Sequence, residues 1–549
     1  MKRHGGKILS DQLVKLGVKR VFSVPGESFL AALDGLYDSD IQNVVCRHEG
    51  GAAMMAEAYG KMTGQPGVCF VTRGPGATNA SAGVHIAMQD STPMVLFIGQ
   101  IDNRHTDRET FQEVDYRAMF GGLAKWVAQV DQTDRLPEYI ARAFRVATSG
   151  RPGPVVLALP ENMLSAEADV PDFKGAIEAA SDLSEGSIED ILQRLSESKR
   201  PLVIAGGPHW SAKAQRDLER FAEVSGLPIA VSFRRQDMID NAHENYAGDL
   251  NVGINPKLAQ RVCDADCLLL LGTRFGDIAT QAYTLVDPAE PKKTILHIHA
   301  DAGEIGRVYG ADVGIVARAD HVIGPMADIA SKIDWSETLA NWTAAARADY
   351  EAWLTPQESP GDVKQELVIK WLSDNLPKDA ILTNGAGNYA AWLHRFFVYK
   401  QHGTQLAPTS GSMGYGFPAA ISASLQHPDR DVVCLAGDGC FQMTCNEMST
   451  AIQHGAMPIV IVMNNGRYGT IRMHQEKTYA GRVSGTDLAS PDFAAFARSY
   501  GGHGETVETQ AEFAPAFERA RASGVVSVIE IKLDPDVLAT GVSLSDLMR

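Results

Sequence analysis

The chain has 549 residues, 45% hydrophobic and 21% charged, with a mean hydropathy of −0.12. At roughly 150 residues per domain this is too long for one ordinary core, and the composition argues against both a disordered and a membrane-spanning chain. A formal net charge of −17 would repel a phosphate backbone, so neither nucleic acid nor a membrane is expected as a partner.

The N-terminal stretch MKRHGGKILSDQLVKLGVKRVF is basic, but Asp11, Gln12 and Lys15 interrupt any apolar run long enough for a signal peptide. A cytoplasmic location is expected. The seven cysteines (Cys46, Cys69, Cys263, Cys267, Cys434, Cys440, Cys445) are odd in number and scattered, which suits buried thiols in a reducing compartment. Neither Cys263 with Cys267 nor Cys440 with Cys445 has a second pair at zinc spacing.

Along the chain, short β-branched runs alternate with longer small-residue or amphipathic stretches. VVCRHE precedes GGAAMMAEAYGKM, and PLVIAGG precedes a helical pattern and then LPIAVSF. This alternation predicts βαβ units and mostly parallel sheets. Polar, Ser- and Glu-rich stretches at 176–200 and about 334–364 read as linkers. The expected domains are therefore 1–175, 190–335 and 365–549, giving an α/β fold of three consecutive doubly wound domains. Residues 68–100 and 432–465 both run strand, glycine turn, helix, strand at nearly equal length. Either this is the common appearance of any two βαβ units, or the outer thirds are duplicated domains.

The strongest local signal is GDGCFQMTCNEMSTAIQHGAMPIVIVMNN at 437–465. VVCLAG reads as a buried strand, and Phe441, Cys445, Met448 and Ile452 then fall at the spacing of one helix face. Asp438 thus sits at a strand's carboxyl end, and PIVIVM delivers Asn464 and Asn465 at the end of the next strand. Ligands of open α/β sheets bind outside such ends. A carboxylate plus an amide oxygen suits a hard cation such as magnesium, and the flanking glycines let backbone N–H groups approach a phosphate. The same residues also read as two plain turns without a ligand. Glu49, in RHEGGAAMMAEAYGKMTG (47–64), opens a glycine- and alanine-rich helix. On composition alone it is a carboxylate stabilised by the helix dipole. Met413, in TSGSMGYGFPAA (409–420), stands among small residues, where an isolated methionine ordinarily fills a core gap.

G-D-G followed about two dozen residues later by N-N resembles the diphosphate-anchoring motif of thiamine-diphosphate (thiamine pyrophosphate) enzymes. The resemblance implies Asp438, Asn465 and the carbonyl of Arg467 as magnesium ligands. Gly437, Gly439, the Cys440 N–H, Asn388, Tyr389, Tyr468, Pro25 and Gly26 are implied in cofactor binding. Glu49 becomes the carboxylate that hydrogen-bonds the aminopyrimidine N1′ and so promotes proton removal from C2 of the thiazolium. Met413 becomes the wedge that holds the cofactor's two rings in a V, with the Gly411 carbonyl accepting from the 4′ amino group. VFSVPGESF, TRGPGATN, DSTPMVLFIGQI, TFQEVD, SGRPGPVVLALP, GTRFGD and HIHADAGEIGR extend the likeness over almost the whole chain. Their order and wording are similar to the large catalytic subunit of acetolactate synthase and its relatives. That architecture implies a pyrimidine-binding domain first, a central domain, and a diphosphate-binding domain last. It also implies a homodimer or homotetramer whose active sites lie between chains, Glu49 of one facing Asp438 of the other. A regulatory subunit is left open by the resemblance, with no support in the sequence itself.

Gly385-Ala386-Gly387-Asn388-Tyr389-Ala390 matches a dinucleotide-binding pattern, but no acidic residue ends a second strand about 20 residues later, so NAD is discounted. In the resemblance Asn388 and Tyr389 stand where the family often has Gln-His. His474 replaces a frequent tryptophan of the acceptor pocket, Met88 a frequent aromatic near the substrate channel, and Gly121 an arginine of flavin-binding members. Arg274 matches a flavin-contacting position, yet AGDLNVG (247–253) departs from the family's central segment, so FAD is disfavoured against a different nucleotide or none. Gln112, in TFQEVD, reads equally as a substrate contact or a loop cap. The expected activity is decarboxylation of a 2-keto acid with carboligation, two pyruvates giving 2-acetolactate and carbon dioxide. The alternative keeps the cofactor but acts on a 2-hydroxyacyl- or oxalyl-coenzyme A, a benzoylformate-type acid or a cyclic diketone. A non-catalytic homologue is the remaining reading.

Overall fold

The computed structural model describes residues 2–175, 184–357 and 359–548. Its frame is three six-stranded sheets, each wholly parallel. The first is built from Arg20–Ser23, Gln42–Val45, Gly67–Val71, Met94–Gln100, Trp126–Gln129 and Pro154–Pro160. Pro201–Ala205, Ile229–Ser232, Tyr246–Leu250, Cys267–Leu271, Thr294–His299 and Val313–Val316 make the second. Ile381–Asn384, Gln405–Leu406, Val432–Gly437, Ile459–Asn464, His503–Val507 and Ser527–Lys532 make the third. Counting strands along the chain within each sheet, the first and third sheets both run 2-1-3-4-6-5, whereas the middle sheet runs 3-2-1-4-5-6. The outer two domains thus share a topology that the middle one lacks, as the internal repeat suggested.

Strands such as Met94–Gln100 and Val432–Gly437 are buried along their whole length. This is why they read as unbroken apolar runs rather than alternating ones. Alternate residues still divide between two cores. Val432, Cys434 and Ala436 face one cluster, and Val433 and Leu435 face another. The first of these clusters also holds Phe22, Cys69, Val71, Leu96 and Ile98 of the first sheet, so the outer domains bury one common core.

The helices that meet there are rich in small residues. Glu49–Thr63 is capped by the His48 ring, which accepts from the Gly50 N–H at 3.0 Å, and stopped by Gly64 at φ 69°. It packs on Pro75–Asp90 and on Gly416–Gln426. A Cβ at Gly83 would lie 2.4 Å from that of Ala53, so the first pair of helices approaches as closely as backbones allow.

Both expected linkers hold helices. In 176–200 the residues 176–183 lie outside the described ones, but Glu185–Glu197 is helical and buries Ile188, Ile191, Leu192 and Leu195 in the middle core. In 334–364 the helix Glu337–Trp353 buries Leu339 and Tyr350. Their polar faces outweighed in composition the i, i+3, i+4, i+7 apolar stripe that docks them. Nor is the stretch after Asp438 one helix. It breaks at Met443–Thr444 into Asp438–Gln442, a 3-10 turn at Cys445–Glu447 and Met448–His454, leaving Met448 buried and Ile452 exposed.

Among the described residues all seven cysteines are free, no helix is long and apolar enough to cross a membrane, and no three His, Cys, Asp or Glu side chains gather as metal ligands.

Candidate active site

A cavity of about 220 Å³ opens at the carboxyl ends of Ile381–Asn384, Val432–Gly437 and Ile459–Asn464. These strands are adjacent in the third sheet, so the turns that follow them face one another. Asn388, Tyr389, Gly411, Met413, Gly437, Asp438, Gly439, Cys440, Asn465, Arg467 and Tyr468 all line it. Eleven of the residues singled out in the sequence thus meet in one place, although they are spread over 81 positions.

Asp438 opens its short helix directly after the strand. Its Oδ1 accepts from the Gly439 N–H at 2.9 Å, and its Oδ2 accepts from the Gly466 N–H at 3.0 Å and the Ser490 hydroxyl at 3.2 Å. Burial pushes its carboxyl above the usual range, against the Gly439, Ser490 and Gly466 hydrogen bonds. The Asn465 side-chain oxygen accepts from the Arg467 N–H at 3.3 Å, and Gly466 between them takes φ 67°, a value that favours glycine. One tight turn therefore ties together the carboxylate, the amide and the Arg467 backbone.

These donors are all oxygens, the class a hard divalent cation prefers, and they leave room for phosphate oxygens and water. Two cavity-lining polar atoms, Gln365 Oε1 and Arg467 Nε, are buried without a hydrogen-bond partner. Unmet polarity of that kind marks a place for a polar ligand. At Gly439 a Cβ would stand 2.5 Å from the Tyr468 ring, so only glycine fits beside Asp438. The residues present therefore suit a magnesium diphosphate group.

Asn388 and Tyr389 spend their side-chain hydrogen bonds within the protein. Asn388 donates to the Leu538 carbonyl at 2.8 Å, and the Tyr389 hydroxyl donates to Cys440 Sγ at 3.2 Å and accepts from the Gly385 N–H at 3.1 Å. Cys440 Sγ also accepts from the Gly414 N–H at 3.1 Å. These contacts shape the cavity wall, leaving backbone groups to face a ligand. Gln365, Trp392 and the tail residues Leu533, Val537 and Leu538 also line the cavity. The sequence carried no local signal for them.

Glu49 lies elsewhere in the chain. Its Oε2 accepts from the Asn79 side chain at 2.9 Å, and its Oε1 lies 3.3 Å from where a Gly76 Cβ would stand. Gly26 abuts Thr72, and Gln112, at φ 65°, packs on Gly74. Pro25, Gly26, Glu49 and Gln112 thus lie in the turns at the carboxyl ends of the first sheet's strands, and none lines the cavity of the third. The turn before Glu49 is held from the C-terminal domain of the same chain, since the buried Glu447 carboxylate accepts the N–H groups of Arg47 and His48. His474 is exposed on the helix Gly469–Thr478 and does not line the cavity.

A second cavity, of about 510 Å³, lies between the first and middle domains and includes Met88, Arg151, Arg235, Arg274, Arg307 and Glu304. Arg151 and Arg307 both pair with Glu304, at 2.9 and 3.0 Å. Arg274 donates to the Gln89 carbonyl at 2.7 Å, and burial lowers its pKa to about 10. Gly121 is not part of the lining.

Family models agree with this division. The model described as "Thiamine pyrophosphate enzyme, N-terminal TPP binding domain" matches residues 3–119, that for the central domain 188–325, and that for the C-terminal TPP binding domain 385–531. An acetolactate synthase large subunit of Corynebacterium glutamicum is 32% identical over 541 residues, covering 94% of this chain and 84% of that protein. The acetolactate synthase isozyme 2 large subunit of Escherichia coli is 29% identical, covering 97% and 96%. A probable acetolactate synthase large subunit of Methanocaldococcus jannaschii is 30% identical, covering 97% and 92%.

Proposed function

The chain belongs to the thiamine pyrophosphate enzymes, and we propose that it decarboxylates a 2-keto acid and joins the retained fragment to a carbonyl acceptor. With pyruvate in both roles the product is 2-acetolactate. The observation that carries this reading is the convergence of Asp438, Asn465, Gly439, Gly411 and Met413 on one cavity.

Asp438, Asn465 and the Arg467 carbonyl would hold magnesium, and backbone N–H groups of the Gly437–Cys440 turn would meet the diphosphate. When bound, thiamine diphosphate supplies a thiazolium carbon that stabilises the carbanion left by decarboxylation. Met413, which lines the cavity, would brace the two rings, and the Gly411 carbonyl would orient the 4′ amino group. Glu49 would hold the proton shared with the aminopyrimidine. Since Glu49 and the Asp438 cavity are separate within one chain, a second copy would bring the two together, as a homodimer or a homotetramer. The arginines of the second cavity suit an anionic occupant, and no step of this chemistry passes through it.

Calorimetric titration with thiamine diphosphate and magnesium, coupled to carbon dioxide release from a panel of acids, tests the reading. Asp438→Ala should weaken binding by a factor of 100 or more, and Glu49→Gln should lower turnover by about 10²–10⁴ while leaving cofactor affinity within threefold. Binding that persists undiminished in Asp438→Ala, or without magnesium, refutes the metal assignment. Release from oxalyl-coenzyme A or benzoylformate but not pyruvate would replace the substrate and leave the cofactor reading standing.

A further inference from the structure

The segment Ala407–Tyr415 carries Gly411 and Met413 into the cofactor cavity, and its own domain holds it at Gly414, whose N–H donates to Cys440 Sγ at 3.1 Å and whose carbonyl accepts from the Thr444 hydroxyl at 2.8 Å. The other two domains grip it. The Ala407 carbonyl accepts from Lys61 Nζ at 3.0 Å, and the Pro408 carbonyl accepts from the Arg234 guanidinium. The Thr409 N–H donates to Asp90 Oδ1 at 2.6 Å, and the Thr409 hydroxyl donates to the same atom. Beyond Met413, the Tyr415 hydroxyl donates to Glu57 Oε2 at 2.5 Å. The first domain therefore pins the segment on both sides of Met413.

The groups that do this are charged and dry. Lys61 pairs with Asp90 and lies 3.4 Å from Glu57, with side-chain exposures of 4% for Lys61 and 0% for both carboxylates. Thr92 donates to the second oxygen of Glu57 at 2.7 Å. Burying such an ion cluster costs several kcal/mol per ion before its mutual attraction is counted, and well-packed apolar residues join two domains at least as firmly. What the cluster adds is direction: hydrogen bonds fix where the backbone of 407–409 and the ring of Tyr415 lie, and apolar contacts do not. Around a bound cofactor, a misplacement of about 1 Å can cost 10²-fold in rate.

We propose that Glu57, Lys61 and Asp90 are positioning residues that set the height of the Met413 wedge from outside its domain. This rests on the reading that the cavity takes thiamine diphosphate. The readout is exchange of the cofactor's C2 proton in deuterated water, followed by acid quench and proton NMR. That reaction requires no substrate but depends on how the two rings are held. Thr409→Val and Tyr415→Phe remove single hydroxyls and leave the ion pair intact. Each should slow C2 exchange tenfold or more at saturating cofactor, keep thiamine diphosphate affinity within threefold, and lower amide protection of 407–415 in hydrogen–deuterium exchange mass spectrometry. Lys61→Arg should stay within threefold of the parent, whereas Lys61→Met should match the slowed variants. If Lys61→Met fails to fold, the two hydroxyl variants decide. C2 exchange within twofold of the parent in both overturns the proposal, as does a loss that saturating cofactor restores. If the parent binds no thiamine diphosphate, or Glu49→Gln exchanges C2 at the parent's rate, the underlying cofactor reading fails and takes this proposal with it.

Discussion

Glu447 offers the sharpest stability test, because two substitutions at this one position should behave differently. Its side chain is fully buried, and its Oε1 accepts from the Arg47 N–H at 3.2 Å and the His48 N–H at 3.0 Å, while its Oε2 accepts from the Thr450 hydroxyl at 2.5 Å. Burial pushes the carboxyl above its ordinary range, against the bonds from Thr450, Arg47 and His48. Glu447→Ala orphans two backbone donors, each costing about 1–3 kcal/mol, and leaves a void, for a total of about 3–6 kcal/mol. Glu447→Gln can present one oxygen to both N–H groups and turn its amide toward Thr450. It gives up charge-assisted bonds but no longer buries a charge, so about 1 kcal/mol is expected. At about 2–4 °C per kcal/mol for domains of this size, calorimetry should show a midpoint lowered by at least 6 °C for alanine and by about 2–4 °C for glutamine. Amide exchange at residues 45–50 should rise with the alanine variant alone. Equal losses for the two, or a loss below about 1 kcal/mol for alanine, would refute the account.

Gly439→Ala should fold but bind thiamine diphosphate at least tenfold more weakly by calorimetry, because its Cβ would sit 2.5 Å from the Tyr468 ring and displace it into the cavity. Gly207→Ala should destabilise the middle domain by about 3 kcal/mol or more in urea titrations, since its φ is +74° and the new Cβ would lie 1.9 Å from the Gly272 carbonyl oxygen. Burial raises the Asp249 carboxyl from 3.8 to about 7, with the Asn251 hydrogen bond opposing it. Its folded value is the higher one, so the stability it contributes is complete below about pH 4 and is lost as pH rises through 7. Asp249→Asn should therefore gain stability relative to the parent between about pH 4 and 8. Parallel pH profiles would count against it.

The parts of the molecule that were legible in the sequence are those whose signal is local. The strand VVCLAG and the turn at Asp438 announce themselves through an unbroken apolar run ending in glycines, and PIVIVM followed by Asn464 and Asn465 does the same. Because parallel strands present their carboxyl ends on one side, such turns converge whatever their distance in sequence. The helices Glu185–Glu197 and Glu337–Trp353 were hidden by surfaces polar enough to resemble linkers, although the spacing of Ile188, Ile191, Leu192 and Leu195 was there to be counted. Glu447 grips a turn 400 residues away, and Asp90 grips Thr409 from 319 away. No periodicity records partners at such separations. Leu533 and Leu538 line the cavity because the chain returns past its last sheet strand, a path set by tertiary packing and not by any motif.

The shared core of the outer domains also constrains how the chain is made. Helix Glu49–Thr63 buries ten of its residues, yet one of the surfaces it packs on, Gly416–Gln426, is encoded some 350 residues later. At about 5–20 residues per second of synthesis, the first domain waits roughly 20–70 s with that small-residue face uncovered. The middle domain, whose core clusters draw only on residues 188–350, can close during the interval. Synthesis should thus pass through a nascent chain with a finished centre and an unfinished beginning, dependent on chaperones until residue 426 clears the ribosome.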